Sequence, residues 1–234
     1  VTPWLVNRTV SSPNWNERKL PVSMVVLHYT GMQTGQEALD RMCDPQAEVS
    51  AHYMIDEDGT VTNLVPEDKR AWHAGRSYWR GITDINSASV GIELVNPGHE
   101  WGYRSFTDDQ MMALLPLLAD IVERHDVPRA NIVGHSDIAP ARKEDPGELF
   151  DWPRLAQLGL ALPTPKARMA LIYDNPGAFY LALERFGYDI ADGHAAVRGF
   201  QRRFRPNMID GEIDGQIGAI LFELLLERDT GHAR

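Results

Sequence analysis

The run Gly134-His135-Ser136-Asp137-Ile138-Ala139-Pro140-Ala141-Arg142-Lys143-Glu144-Asp145-Pro146-Gly147 puts an imidazole, two cations and three carboxylates, Asp145 the last of them, on one stretch closed by Pro-Gly. The apolar residues just before it read as a short buried strand over 131–134. His135 therefore falls where a strand gives way to a loop, a position at which a rigid scaffold holds reactive groups. A second imidazole has the same setting: His28 ends the apolar run Met24-Val25-Val26-Leu27 and is followed by Tyr29-Thr30-Gly31. Two histidines and an aspartate suit a three-ligand zinc site with a fourth position open to water. Taken singly, each group is ordinary, since strand-end histidines usually serve as hydrogen-bonding residues and Asp before Pro-Gly is common turn chemistry. Their combination carries the reading. Two other metal readings compete with it. His135 and Asp137 match the His-x-Asp half of a non-haem iron triad, with His194 as the distal histidine. The segment Asp210-Gly211-Glu212-Ile213-Asp214-Gly215 opens like a calcium loop, but its twelfth position is Leu221, where a bidentate Glu is needed, and this excludes it.

The elements that must position these groups follow from periodicity. Residues 20–29 read as a nearly continuous apolar strand and 36–42 as a short helix. Residues 52–55 and 60–65 flank Asp56-Glu57-Asp58-Gly59 as a hairpin. A strand over 89–95 turns Val90, Ile92 and Leu94 to one face and Glu93 to the other, which singles out one carboxylate. A helix is predicted over 108–125, with Thr107 and Gln110 spaced as a capping box and Met111, Leu114, Leu115, Leu118 and Val122 as its apolar stripe. Pro116 inside it should kink or weaken it. Strands interleaved with helices place the chain in the α/β class, with a mixed central sheet and flanking helices. Alternate prolines at 163 and 165 mark a linker. Beyond it, helical spacing over 178–186, 195–204 and 216–227, with Gly187, Pro206 and Gly231 as stops, predicts a small all-α unit of three helices. The expected division is 1–160, a linker 161–168, and a helical unit 169–234.

The composition narrows the chemistry. At 234 residues and 43% hydrophobic content the chain can bury a sizeable core. It has one cysteine, Cys43, so neither an internal disulfide nor a thiolate metal site is available. Any metal must be held by His, Asp and Glu. The net charge of −10 makes nucleic acid a poor partner. No apolar run is long enough to span a membrane.

Five segments in order, Leu27-His28-Tyr29-Thr30, Ser50-Ala51-His52-Tyr53, Ala71-Trp72-His73-Ala74-Gly75, Gly91-Ile92-Glu93-Leu94 and the 134–147 run, resemble the zinc-dependent N-acetylmuramoyl-L-alanine amidases, specifically the AmiD-like group. The resemblance runs from about Asn14 to Trp152. The tail, with Arg185-Phe186-Gly187-Tyr188-Asp189, Val197-Arg198-Gly199-Phe200-Gln201 and Asp210-Gly211-Glu212-Ile213-Asp214, resembles the helical peptidoglycan-binding domain appended to that group.

Carried over by position, the resemblance implies Zn2+ held by His28, His135 and Asp145, with Glu93 and Lys143 as acid-base and transition-state groups. It implies hydrolysis of the amide between the lactyl group of N-acetylmuramic acid and L-alanine. Peptidoglycan or muropeptides are the expected partners, and no protein partner is inferred. Tyr29, His52, Trp72 and His73 are expected substrate contacts, with Arg80 as a further candidate. Packing in the core is an equally good expectation for Trp72 and Trp79. The rival from another class is a non-catalytic peptidoglycan binder using the same groove. No charged segment followed by an apolar one is visible near Val1, and the expectation leans to the cytoplasm, with the periplasm as the close alternative.

Overall fold

Short apolar runs rich in β-branched residues build one sheet, and the longer amphipathic runs cover it. The computed structural model describes residues 6–7, 10–166, 173 and 175–229. The strands are β1 Val6–Asn7, β2 Trp15–Glu17, β3 Met24–Tyr29, β4 Tyr53–Ile55, β5 Val61–Asn63, β6 Lys69–Ala71, β7 Ser89–Leu94 and β8 Ile132–Gly134. The helices are α1 Gly35–Cys43, α2 Ile85–Ala88, α3 Gly98–Trp101, α4 Asp108–His125, α5 His135–Ile138, α6 Trp152–Gln157, α7 Pro176–Phe186, α8 Gly193–Phe204 and α9 Gly215–Asp229.

Six strands form a mixed sheet in the order β1-β5-β4-β7-β3-β8, and β2 pairs with β6 as a separate antiparallel ribbon. The four strands from β4 to β8 run parallel, while β5 is antiparallel to β4. In such a sheet, groups at the carboxyl ends of neighbouring parallel strands open onto a common crevice. The expected α/β class, mixed sheet and helical tail are all present.

Strand alternation sorts the core into two faces. Val25, Leu27, Val90, Ile92 and Leu94 pack against Met111, Leu114, Leu118 and Ile121 of α4. Met24, Val26 and Val133 point the other way and share one cluster with Phe179, Leu183, Phe200 and Ile220 of the tail helices. The tail thus packs directly on the sheet. Thr107 and Gln110 form the capping box predicted for α4. That helix is continuous through Pro116. The carbonyl that proline leaves without a partner belongs to Met112, whose residue is 56% exposed, so it faces the solvent side while the buried stripe holds the helix.

Several boundaries differ from expectation for local reasons. β3 starts at Met24 rather than at 20, because Pro21 cannot donate to a central ladder. The residues after β8 form a single helical turn, α5, rather than a loop. The β2–β6 ribbon has strands too short to show a period. The three tail helices appear where predicted, the first two longer by two residues at their starts and the third by one at its start and two at its end. Leu160, Ala161 and Leu162 are buried, so the start of the proline-marked segment is packed in the core. Residues 167–172 and 230–234, which include the end of the expected linker and the stop at Gly231, lie outside the described residues.

Candidate active site

Register decides which side chains meet. In the parallel β3–β7 pair His28 lies opposite Glu93, and in the β3–β8 pair Leu27 lies opposite Gly134. His28, Glu93 and His135 are therefore neighbours at three adjacent strand ends. The 139–147 segment then returns, and the Ser136 N–H donates to the Asp145 carbonyl at 2.8 Å, which brings Asp145 back over α5. His28 Nδ1 lies 3.0 Å from His135 Nδ1 and 2.9 Å from Asp145 Oδ2, and His135 Nδ1 lies 3.1 Å from the same oxygen. All three residues are buried, and they form the only cluster of this kind among the described residues. Asp137 and His194 are not part of it. Asp137 instead accepts the Gly134 N–H at 2.7 Å and the Tyr188 hydroxyl, so the iron reading fails on placement.

The surrounding hydrogen bonds determine where the protons sit. His135 Nε2 faces the Ala74 carbonyl at 3.1 Å, which can only accept, so Nε2 carries the hydrogen and the neutral ring leaves Nδ1 bare. The Ser89 hydroxyl donates to the Ile85 carbonyl and so accepts from His73 Nε2 at 3.2 Å. His73 Nδ1 is then bare and accepts the Nε2–H of His28 at 3.0 Å, which leaves His28 Nδ1 bare as well. Burial, reinforced by the neighbouring His135, holds His28 down at about 4, in its neutral form. Three lone-pair donors about 3 Å apart, with no hydrogen among them, need a cation. Their separations approach the roughly 3.3 Å edge of a tetrahedron with metal bonds of about 2 Å. The donor set therefore fits zinc.

A cleft of about 560 Å³ opens beside these atoms and is lined by Tyr29, Trp72, His73, Glu93 and Lys143 together with the three donors. Glu93 is half-buried, and its Oε2 is sealed from solvent with no hydrogen-bond partner. Burial pushes its carboxyl well above the ordinary value, the Asp145 charge adds to this, and the Lys143 cation opposes it. Lys143 is half-buried at the rim of α5, where its backbone N–H donates to the Ala139 carbonyl.

Of the four expected substrate contacts, three line the cleft and one does not. The Tyr29 hydroxyl meets His99 Nδ1 at 2.9 Å, and Trp72 Nε1 donates to Asn16 at 3.1 Å, so both rings are held in place. His73 lines the cleft but spends its ring nitrogens on His28 and Ser89. Gly91 makes room for it, since a Cβ there would come within 2.5 Å of the His73 ring. The expectation for His52 is corrected. It is fully buried behind His73, accepts the Gly91 N–H at 2.9 Å and donates to the Lys69 carbonyl at 3.0 Å, so it fixes backbone and never reaches the cleft. Arg80 is also elsewhere, donating to the Phe186 carbonyl at 3.0 Å, and Trp79 is a core residue. Sequence reasoning passed over Ser89 and His99, whose roles depend on partners with no fixed spacing from them.

His73→Phe should keep the fold and remove the acceptor that orients His28. Zinc affinity, measured by competition with a chelator, is expected to fall about 10- to 100-fold, as is typical when a ligand loses its orienting partner.

The N-acetylmuramoyl-L-alanine amidase family (Amidase_2) matches residues 18–148. The N-acetylmuramoyl-L-alanine amidase AmiD of Escherichia coli (strain K12) is 36% identical, over 88% of this chain and 83% of its own length. The 1,6-anhydro-N-acetylmuramyl-L-alanine amidase AmpD of Haemophilus influenzae is also 36% identical, over 63% of this chain and 89% of its own. A solved complex of the E. coli AmiD amidase with the substrate anhydro-N-acetylmuramic acid-L-Ala-D-gamma-Glu-L-Lys superposes with a TM-score of 0.81 at 31% identity, covering 97% of this chain and 94% of that one. With a matching domain, relatives alike over most of their length and the expected donors side by side, the chain belongs to the N-acetylmuramoyl-L-alanine amidase family.

Proposed function

We propose that His28, His135 and Asp145 hold zinc and that the cleft beside them hydrolyses the amide between the lactyl group of N-acetylmuramic acid and L-alanine of a peptidoglycan stem peptide. The convergence of three proton-free donors within a cleft of an amidase-family chain carries this reading. Bound zinc supplies a water of pKa near 7 and polarises the amide carbonyl.

The chain's own groups do the rest. Glu93, which lines the cleft beside the three donors, takes the proton of the attacking water and returns it to the departing amine of L-alanine. Lys143 offers its ammonium to the oxyanion that develops on the carbonyl oxygen. The fixed rings of Tyr29 and Trp72 give flat apolar faces against which a sugar or peptide can lie. The compound in the AmiD complex is an anhydro-muropeptide, and fragments of that chemistry are the substrates we assign to this cleft. The helical unit 169–234, joined through 161–168, we assign to holding the wall polymer.

The test is metal analysis together with product analysis. The protein should contain about one zinc per chain and release a free N-terminal alanine from an anhydro-muropeptide. A protein that binds the muropeptide, holds no zinc and releases nothing would instead be a binder. Lys143→Ala should lower kcat by about 10²–10³-fold with zinc content unchanged, the usual effect of removing one oxyanion donor. Full activity in that variant would remove Lys143 from the mechanism.

A further inference from the structure

We propose that α8 is a working part of the active site and that Arg202 is a positioning residue for the reaction. The inference rests on the amidase reading of the cleft. Arg202 lies outside residues 18–148, the span matched by the family, on the helix expected only to hold polymer.

The residue is 5% exposed, and its guanidinium reaches across to the loop that carries Lys143 and Asp145. Nη2 donates to Glu144 Oε1 at 2.7 Å and Nε to Glu148 Oε2 at 3.4 Å, so one rigid fork holds two carboxylates on either side of Asp145. A cation buried this far must keep its partners, which fixes the loop as firmly as the helix. The line continues to the cleft wall. Glu148 accepts from His99 Nε2 at 3.1 Å, which leaves His99 Nδ1 to accept the Tyr29 hydroxyl at 2.9 Å.

The same helix braces the other histidine turn. A Cβ at Gly199 would come within 2.7 Å of the Ser136 carbonyl oxygen, so α8 lies directly on α5. Tyr188, in the loop before α8, donates its hydroxyl to Asp137, whose other oxygen accepts the N–H of Gly134, next to His135. Arg203 lies over the Trp152 ring at 3.2 Å, behind the same turn. Two donors of the proposed metal site are thus backed from the tail.

The full-length zinc protein tests this. Arg202→Gln should lower kcat on a soluble anhydro-muropeptide about 10-fold, with KM within about threefold, and should speed zinc loss to a chromogenic chelator several-fold. Arg202→Lys, able to pair with one carboxylate, should recover part of both. If Arg202→Gln does not fold, Glu148→Gln reads the same brace from the loop and should itself lower kcat. In a folded double variant the two losses should overlap rather than multiply. A folded Arg202→Gln with unchanged kcat and zinc loss, or multiplying losses in the double variant, overturns the proposal, as does Glu148→Gln with full activity. A parent protein that holds no zinc and releases no alanine would sink the amidase reading instead, and the two failures are distinct.

Discussion

Asp145→Asn should fold, retain no measurable zinc and lose more than about 10³-fold in hydrolysis, because without the metal no nucleophile forms at neutral pH. The charge that makes the site a cation trap is this carboxylate, since both imidazoles contribute only neutral nitrogens. The same change should stabilise the metal-free protein. At pH 8, above the imidazole range, the metal-free parent holds three bare acceptors against one another, and the introduced amide can donate to one Nδ1. Relief of one unsatisfied buried acceptor is worth about 1–3 kcal/mol, which at this chain length corresponds to a rise in Tm of roughly 2–12 °C. Calorimetry with and without zinc checks both halves. The parent should gain stability on zinc addition and the variant should not. A variant that binds zinc and turns over would refute the assignment of Asp145.

Glu93→Gln carries the second large effect. Removing a positioned general base costs about 10²–10⁴-fold in kcat, while zinc content and KM should change little. Burial raises the Glu93 carboxyl, with the Asp145 charge adding to it and Lys143 opposing. The ionised form is the one that accepts a proton, so kcat/KM should rise with pH through that raised value. Its acid limb then lies above the ordinary carboxylate range near 4.3, and Glu93→Gln should abolish the limb. The stability consequence has the opposite sign. A carboxyl whose pKa is raised in the folded state contributes stability that is fully present below its unfolded value and is lost as pH rises through the folded one. Glu93→Gln should therefore melt higher than the parent at neutral pH, by an amount that vanishes below about pH 4. Equal melting at both pH values would mean that the Glu93 charge is not strained by the fold. The expected gain fits a site where activity keeps a group that stability would discard.

Much of the scaffold was legible in the sequence because it rests on short-range rules. The apolar run before His28, the alternation that turns Glu93 away from Val90 and Ile92, the Thr107–Gln110 cap and the spacing of the tail helices each concern residues within a turn or two of one another. His28, His135 and Asp145 stood out by residue type and position, Glu93 stood out by strand alternation, and the roles of Glu93 and Lys143 came from motif resemblance; the register of β3 with β7 and β8 supplies the physical reason that strand ends so far apart in sequence meet.

What the sequence determined by itself was the type of the longer elements, the face that strand alternation gives Glu93 and the absence of thiolate ligands. Tertiary structure alone decided that His52 lies behind His73 rather than in the cleft, that Ser89 and His73 set the tautomer of His28, and that α8 reaches the Asp145 loop. Those contacts join residues 16 to 58 positions apart. Periodicity reports only on neighbours along the chain, whereas a hydrogen bond between distant residues is fixed by how whole elements pack. A buried fork such as Arg202 reads in sequence as one more charge on a polar helix until the packing shows which carboxylates it holds.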